Sequence, residues 1–140
     1  MKPSALQLEK IHNLHRDLAR AVARLKEALA LPPTQINQDA SIQRFEFSIE
    51  LAWKLLRAAI LYQGGSSIGP RDSVRIGAQM GFIDNPSLWL DLLDARNLTT
   101  HVYKLSLAKK VYTQAKSLPP LIDHLLKTVK EKEFMQENLP

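Results

Sequence analysis

The strongest constraint in this sequence is a series of apolar stripes at alternating steps of three and four, cut by proline and glycine. Ile11, Leu14, Leu18, Val22, Leu25 and Leu29 make the first. At about 3.6 residues per turn they share one side of a helix of roughly seven turns, with Lys, Arg and Glu on the other. Leu31-Pro32-Pro33-Thr34 ends it, because proline has no amide donor and restricts the residue before it. The second stripe, Ile42, Phe45, Ile49, Ala52 with Trp53, Leu56 and Ile60, predicts a helix capped by Asp39 or Ser41 and stopped by Gly64-Gly65.

Pro70 fits the first turn of a short third helix carrying Val74, Ile76 and Ala78, with Gly81 past its end. Asp84-Asn85-Pro86 reads as the start of a fourth, which holds Leu88, Trp89, Leu92 and Leu93 and is expected to reach about Val102. A fifth begins near Ser106 with Leu107, Val111, Ala115 and Leu118; Pro119-Pro120 must break or kink it before Leu121, Leu125, Leu126 and Val129. The residues from Glu131 to Pro140 are polar and expected to fray. No run alternates with period two, so the expected class is all-α. The arrangement predicted is an antiparallel up-and-down four-helix bundle, with the short third helix in a connection and residues 1–140 as one domain.

Composition narrows the chemistry. The chain of 140 residues has no cysteine, which excludes a disulfide framework, a thiol nucleophile and a Cys-ligated metal centre. Phosphate-cradling glycine loops are absent too: Gly64-Gly65 lacks the following lysine and the preceding strand. A formal charge of +5 is mild and permits an anionic partner without requiring one. No segment approaches the ~20 apolar residues of a membrane span and the start has no signal-peptide core, so a soluble cytoplasmic protein is expected.

Among the histidines, His12 and His15 sit three apart and could share a metal, but no third ligand is near, so solvated surface residues are the expectation. His124 likewise reads as surface. Arg16, Arg20 and Arg24 form a ridge with Lys26 to one side: either a phosphate- or acid-facing surface or a solvated helix face. Glu46 and Glu50, four apart, could pair as carboxylates, although Glu50 also suits an exposed ion pair with Lys54.

The stretch from Leu88 to Tyr103 is different. Arg96, Thr99 and Tyr103 fall in the same arc as Leu88, Trp89, Leu92 and Leu93. A guanidinium in a core-facing stripe needs a partner, either Glu46 or Glu50 in a salt bridge or a bound anion, and the residues alone leave both open. On one regular helix His101 lies about 140° from Arg96, so the two converge only if the helix ends near Thr99-Thr100 or a second copy contributes. Asn97, four before His101, could fix the imidazole tautomer. Leu90 and Leu98 on the opposite flank favour a dimer through this face.

These elements recur together. Arg44-Phe45-Glu46 through Trp53-Lys54-Leu55-Leu56, then Gly69-Pro70-Arg71-Asp72-Ser73, Gly81-Phe82-Ile83 and Trp89-Leu90-Asp91 through Arg96-Asn97-Leu98-Thr99-Thr100-His101-Val102-Tyr103 closely resemble the nucleotidyltransferase substrate-binding proteins, a family of the HEPN superfamily. The resemblance implies a homodimeric helical bundle and a minimal nucleotidyltransferase partner encoded nearby. Relatives carrying Arg-x4–6-His are metal-independent ribonuclease toxins, silenced when that partner adenylylates a tyrosine. Carried onto this chain, it implies a catalytic set of Arg96, Asn97 and His101, with Tyr103 as the modified residue; Glu46 and Glu50, read above as candidate partners of Arg96, are added as supporting residues. His101 would move the proton of a ribose 2′-hydroxyl or of the leaving oxygen, and Arg96 would stabilise the pentacoordinate phosphorus. Neither metal nor cofactor is called for. Two readings stand against this one: a non-catalytic subunit that binds nucleotide or substrate, and a structural dimer whose Arg96 serves only an internal salt bridge.

Overall fold

The computed structural model describes residues 5–132. Its regular elements are helical, in the order α1 (Ala5–Ala30), α2 (Gln35–Tyr62), α3 (Gly69–Gln79), α4 (Pro86–Asn97), a 3-10 turn (Thr99–His101), α5 (Leu105–Ala115) and α6 (Leu118–Glu131). Among the described residues there is no strand, and no helix is long and apolar enough to cross a membrane. The fraying expected toward Pro140 lies, beyond Lys132, outside the described residues, and α6 itself continues through Glu131.

Local chemistry sets most of the boundaries. After Pro32-Pro33, Thr34 caps α2: its Oγ1 accepts a hydrogen bond from the Asn37 amide at 3.1 Å. Asn37 and Gln38 side chains reach back to the Pro32 and Pro33 carbonyls at 2.9 and 2.8 Å, which fixes the turn. Helix α2 thus starts ahead of the expected Asp39 or Ser41 cap. Ser41 is instead buried inside the helix and donates to the Asn37 carbonyl at 2.8 Å. At the other end, Gly64 takes φ 90° and the Gly64 and Gly65 amides donate to the Leu61 and Ile60 carbonyls, a closure that favours glycine. Gly81, φ 82°, closes α3 in the same way.

Asn85 and Pro86 open α4 as the sequence predicts, with Asn85 Oδ1 facing the Leu88 amide. The C-terminal part contains two helices, and the break falls at Lys116 and Ser117, ahead of the prolines. Pro119 and Pro120 then occupy the first turn of α6, where no intrahelical donor is needed.

One contiguous core joins these helices. Helix α1 contributes Ile11, Leu18 and Leu25; α2 Phe45, Ile49 and Leu56; α4 Trp89 and Leu92; α5 Val111; α6 Ile122 and Leu125. Each is fully or almost fully buried, and side chains of this size contribute roughly 1.5–3 kcal/mol apiece. The short 31–34 turn folds α2 back along α1, α5 and α6 pack across this pair, and α3 carries the chain to α4. An Arg71–Asp94 pair at 2.7 Å clips α3 to α4. Leu90 and Leu98, expected to form a free dimer flank on α4, are only partly exposed and pack against the core.

Candidate functional site

Helix α4 is anchored by Trp89, Leu92, Leu93 and Ala95, all buried, and this fixes the direction of the next side chain. Arg96 points to α2. Its Nε lies 3.3 Å from Glu50 Oε1 and its Nη1 4.0 Å from Glu46 Oε2. The indole Nε1 of Trp53 donates to the other Glu50 oxygen at 3.3 Å, so that carboxylate is held from both sides. Both acids weighed for Arg96 are therefore used together, and Glu50 turns to Arg96 rather than to Lys54.

The clamp is incomplete. Arg96 Nε is buried but makes no hydrogen bond of good geometry, so its contact with Glu50 is charge to charge. The side chains of Arg96, Glu46 and Glu50 remain 29, 32 and 36% exposed. A guanidinium buried this far is costly unless its charge is balanced, and one still open to solvent retains donors for an incoming anion.

That opening is a cleft of about 610 Å³ between α1 and α2. Arg20 and Arg24 line it from α1, Arg44, Glu46, Phe47 and Glu50 from α2, and Arg96 from α4. Asp17 also lines it and lies 3.6 Å from Arg16. Four arginines thus face three carboxylates. The ridge of the first helix splits by role: Arg20 and Arg24 enter the cleft, whereas Lys26 pairs with Asp123 of α6 at 2.8 Å. Arg44 and Phe47 are cleft residues that the sequence did not single out. Arg44 Nη1 donates to the Arg24 carbonyl at 2.7 Å, a contact between residues twenty apart that depends on how α1 and α2 align. Phe47 left one signal, a large apolar residue off the buried stripe of α2; it is 56% exposed.

The expected run of α4 to Val102 stops at Asn97. Thr99 explains the stop: its Oγ1 donates to the Arg96 carbonyl at 2.7 Å and accepts from Arg96 Nη1 at 3.2 Å, drawing the chain into the 3-10 turn. With the α-helical register lost, the expected Asn97–His101 hydrogen bond is not formed among the described residues; both side chains are exposed. His101 stands beside Tyr103 instead, ring centroids 6.3 Å apart at 66°. Tyr103 is 74% exposed. Two groups result, Arg96 with Glu46 and Glu50 in the cleft wall, and His101 with Tyr103 on the following turn. Thr99 joins them. His101, Asn97 and Tyr103 do not line the cleft.

Elsewhere, His15 is not the solvated residue expected: it is half-buried and its Nε2 lies 3.0 Å from the Leu126 carbonyl of α6. His12 is also half-buried, while His124 lies on the surface 3.8 Å from Asp84. Among the described residues no three His, Asp or Glu gather as a metal site.

Residues 12–131 match the profile of a family described as nucleotidyltransferase substrate binding protein like. A probable ribonuclease HepT from Haemophilus influenzae is 34% identical over 79 residues, covering 53% of this chain. The match spans about half of that relative, 54%. A crystal structure of a Thermus thermophilus protein superposes with a TM-score of 0.76 at 30% identity, covering 80% of this chain and 98% of that one. A Haemophilus influenzae structure described as the fold of a substrate binding domain of a nucleotidyltransferase gives 0.63 at 25% identity, covering 88 and 98%.

Proposed function

The chain belongs to the nucleotidyltransferase substrate-binding protein-like family, and from that premise we propose that it is a metal-independent endoribonuclease toxin controlled by a nucleotidyltransferase. The observation that carries this reading is the Thr99 link: it ties a half-buried, cleft-facing Arg96 to the turn that presents His101 and Tyr103 to solvent. The relative named as a probable ribonuclease supports it. In the proposed reaction His101 takes the proton of a ribose 2′-hydroxyl, and the 2′-oxygen attacks the adjacent phosphorus. Arg96 stabilises the added negative charge. The bond to the 5′-oxygen then breaks and that oxygen is protonated, leaving a 2′,3′-cyclic phosphate and a 5′-hydroxyl. Asn97 contacts the phosphate or the imidazole, and Glu46 and Glu50 position Arg96. A homodimer supplies the second histidine as acid, each subunit being an antiparallel bundle of α1, α2, α4 and the α5–α6 pair.

The partner transfers AMP from ATP to the exposed Tyr103 hydroxyl, with release of pyrophosphate. The adduct adds negative charge and bulk beside His101 and blocks the substrate. A second reading has one specific observation behind it. Within a single chain the cleft holds Arg96 without His101, as a non-catalytic nucleotide- or substrate-binding subunit requires. Incubating the purified protein with RNA in EDTA separates the two. The nuclease reading expects cleavage lost in His101→Ala; intact RNA, together with nucleotide binding that is lost in Arg96→Ala, selects the binding subunit.

A further inference from the structure

A second groove, about 270 Å³, lies further along the same α1–α2 face. Lys10 and Leu14 of α1 and Trp53, Lys54, Arg57 and Leu61 of α2 line it, with no carboxylate among the lining residues. None of Lys10, Lys54 and Arg57 is drawn into an ion pair among the described residues, unlike Arg16, Lys26, Arg44, Arg71 and Arg96. Three uncompensated cations around an aromatic side chain are what a nucleic-acid strand requires, phosphates on the cations and a base against the ring.

The groove continues the Arg96 cleft. Trp53 lines the groove, Glu50 lines the cleft, and the two are hydrogen-bonded one turn apart on α2. From Glu46 to Arg57 the helix rises about 16 Å at ~1.5 Å per residue, enough for several nucleotides of an extended strand. Arg20, Arg24 and exposed Phe47 at one end, and Lys10, Lys54, Arg57 and Trp53 at the other, interleave positive charge with aromatic surface along that length.

We propose that the α1–α2 groove is a strand-binding track, in which single-stranded RNA held at the Arg96 cleft continues over Lys54, Arg57 and Lys10 with a base packed on Trp53. This rests on RNA being the ligand of the Arg96 site. A protein partner is less well matched, because the lining offers cations around one partly buried indole and little exposed apolar area beyond Leu61.

The test is fluorescence anisotropy with a labelled uridine mononucleotide, which cannot reach from the Arg96 cleft to Lys54, and a labelled oligouridylate of about twelve nucleotides, in EDTA across a salt series, on wild type and on Lys54→Gln/Arg57→Gln. Both substituted side chains are exposed, and circular dichroism checks the fold. The double variant is expected to bind the long oligomer roughly tenfold more weakly and to lower its salt slope by about 0.7 for each phosphate contact removed. The mononucleotide is expected to bind as before. Equal weakening of both lengths, or no change in either, overturns the track. So does a variant that loses its nucleotidyltransferase partner and keeps its RNA. The readout is binding, so a protein that binds through Lys54 and Arg57 without cutting RNA retains the track and loses the nuclease, whereas RNA cut but bound independently of them does the reverse.

Discussion

Replacing Glu50 by Gln tests whether Arg96 is held in reserve for an anion. The change keeps the shape of the side chain and an acceptor for Trp53 Nε1, and removes the negative charge 3.3 Å from Arg96 Nε. In a site open enough to be treated as water, two unit charges at that distance attract by about 1.3 kcal/mol. A ligand phosphate roughly 6 Å from the same carboxylate is repelled by about 0.7 kcal/mol. Releasing both terms raises affinity for a phosphate-bearing ligand by at most about 2 kcal/mol, or roughly thirtyfold, and by about 0.7 kcal/mol, roughly threefold, where the ligand leaves the ion pair intact; the gain shrinks with added salt. Stability moves less, by about 1 kcal/mol or under, because the pair is only partly buried and Glu46 remains 4.0 Å from Nη1. Calorimetric titration with ADP or a short oligouridylate at low and high salt measures the first term, and urea unfolding the second. Unchanged or weaker binding in a folded Glu50→Gln protein refutes the reasoning: the guanidinium would then be a structural cation with no part in holding a ligand.

His101→Ala is expected to abolish RNA cleavage while leaving oligomer binding and unfolding within about 0.5 kcal/mol of wild type, since the side chain is exposed; paired cleavage and denaturation assays check this. Tyr103→Phe removes only an exposed hydroxyl, so incorporation of labelled AMP by the partner enzyme should disappear with the melting temperature unchanged. Gly77→Ala places a methyl 2.6, 2.8 and 2.9 Å from Leu56 Cδ1, Cδ2 and Cγ, which forces the whole side chain to move. Overpacking of ~1–3 kcal/mol, less ~1 kcal/mol of helix propensity, predicts a net loss of about 0–2 kcal/mol in urea unfolding. Thr34→Ala removes the α2 cap at Asn37 and should cost about 1 kcal/mol in the same assay, with no effect on RNA binding.

Features set by neighbouring residues were legible in the sequence. Pro32-Pro33, Gly64, Gly81 and Asn85-Pro86 mark the ends of helices because each acts on the backbone within a turn of itself. The α2 stripe is buried from Ile42 to Ile60, apart from the half-buried Trp53 at its edge, because a helix of fixed pitch allows no other placement of its apolar side. Two misplaced helix ends share a cause, which is competition among polar side chains for the same backbone. Thr34 outranks Asp39 and Ser41 at the start of α2 because it follows Pro33 directly and its hydroxyl meets the Asn37 amide. Thr99 ends α4 early because its hydroxyl takes the Arg96 carbonyl. In both cases β-branched threonine, a weak helix former, works from its hydroxyl, and the choice turns on geometry that propensity does not contain.

The cleft lay beyond such reasoning for a different reason. Arg20, Arg24 and Arg44 belong to two helices, and which cations meet is decided by the register of α1 against α2. The four-residue connection sets that register. One extra residue inserted within α2 ahead of Arg44 would turn that side chain by about 100° about the helix axis and send it away from the Arg24 carbonyl. The Arg96–Glu contact was partly legible because a guanidinium in an apolar arc must find an acid, and Glu46 and Glu50 were near candidates on a helix that had to pack nearby. No equivalent demand acts on His101. An exposed imidazole costs little wherever it stands, so neither burial nor unmet hydrogen bonding restricted its position, and the 3-10 turn alone determines it. The residue on which catalysis would depend is thus the one that folding energetics constrains least, which is why cleavage assays on His101→Ala discriminate where stability measurements do not.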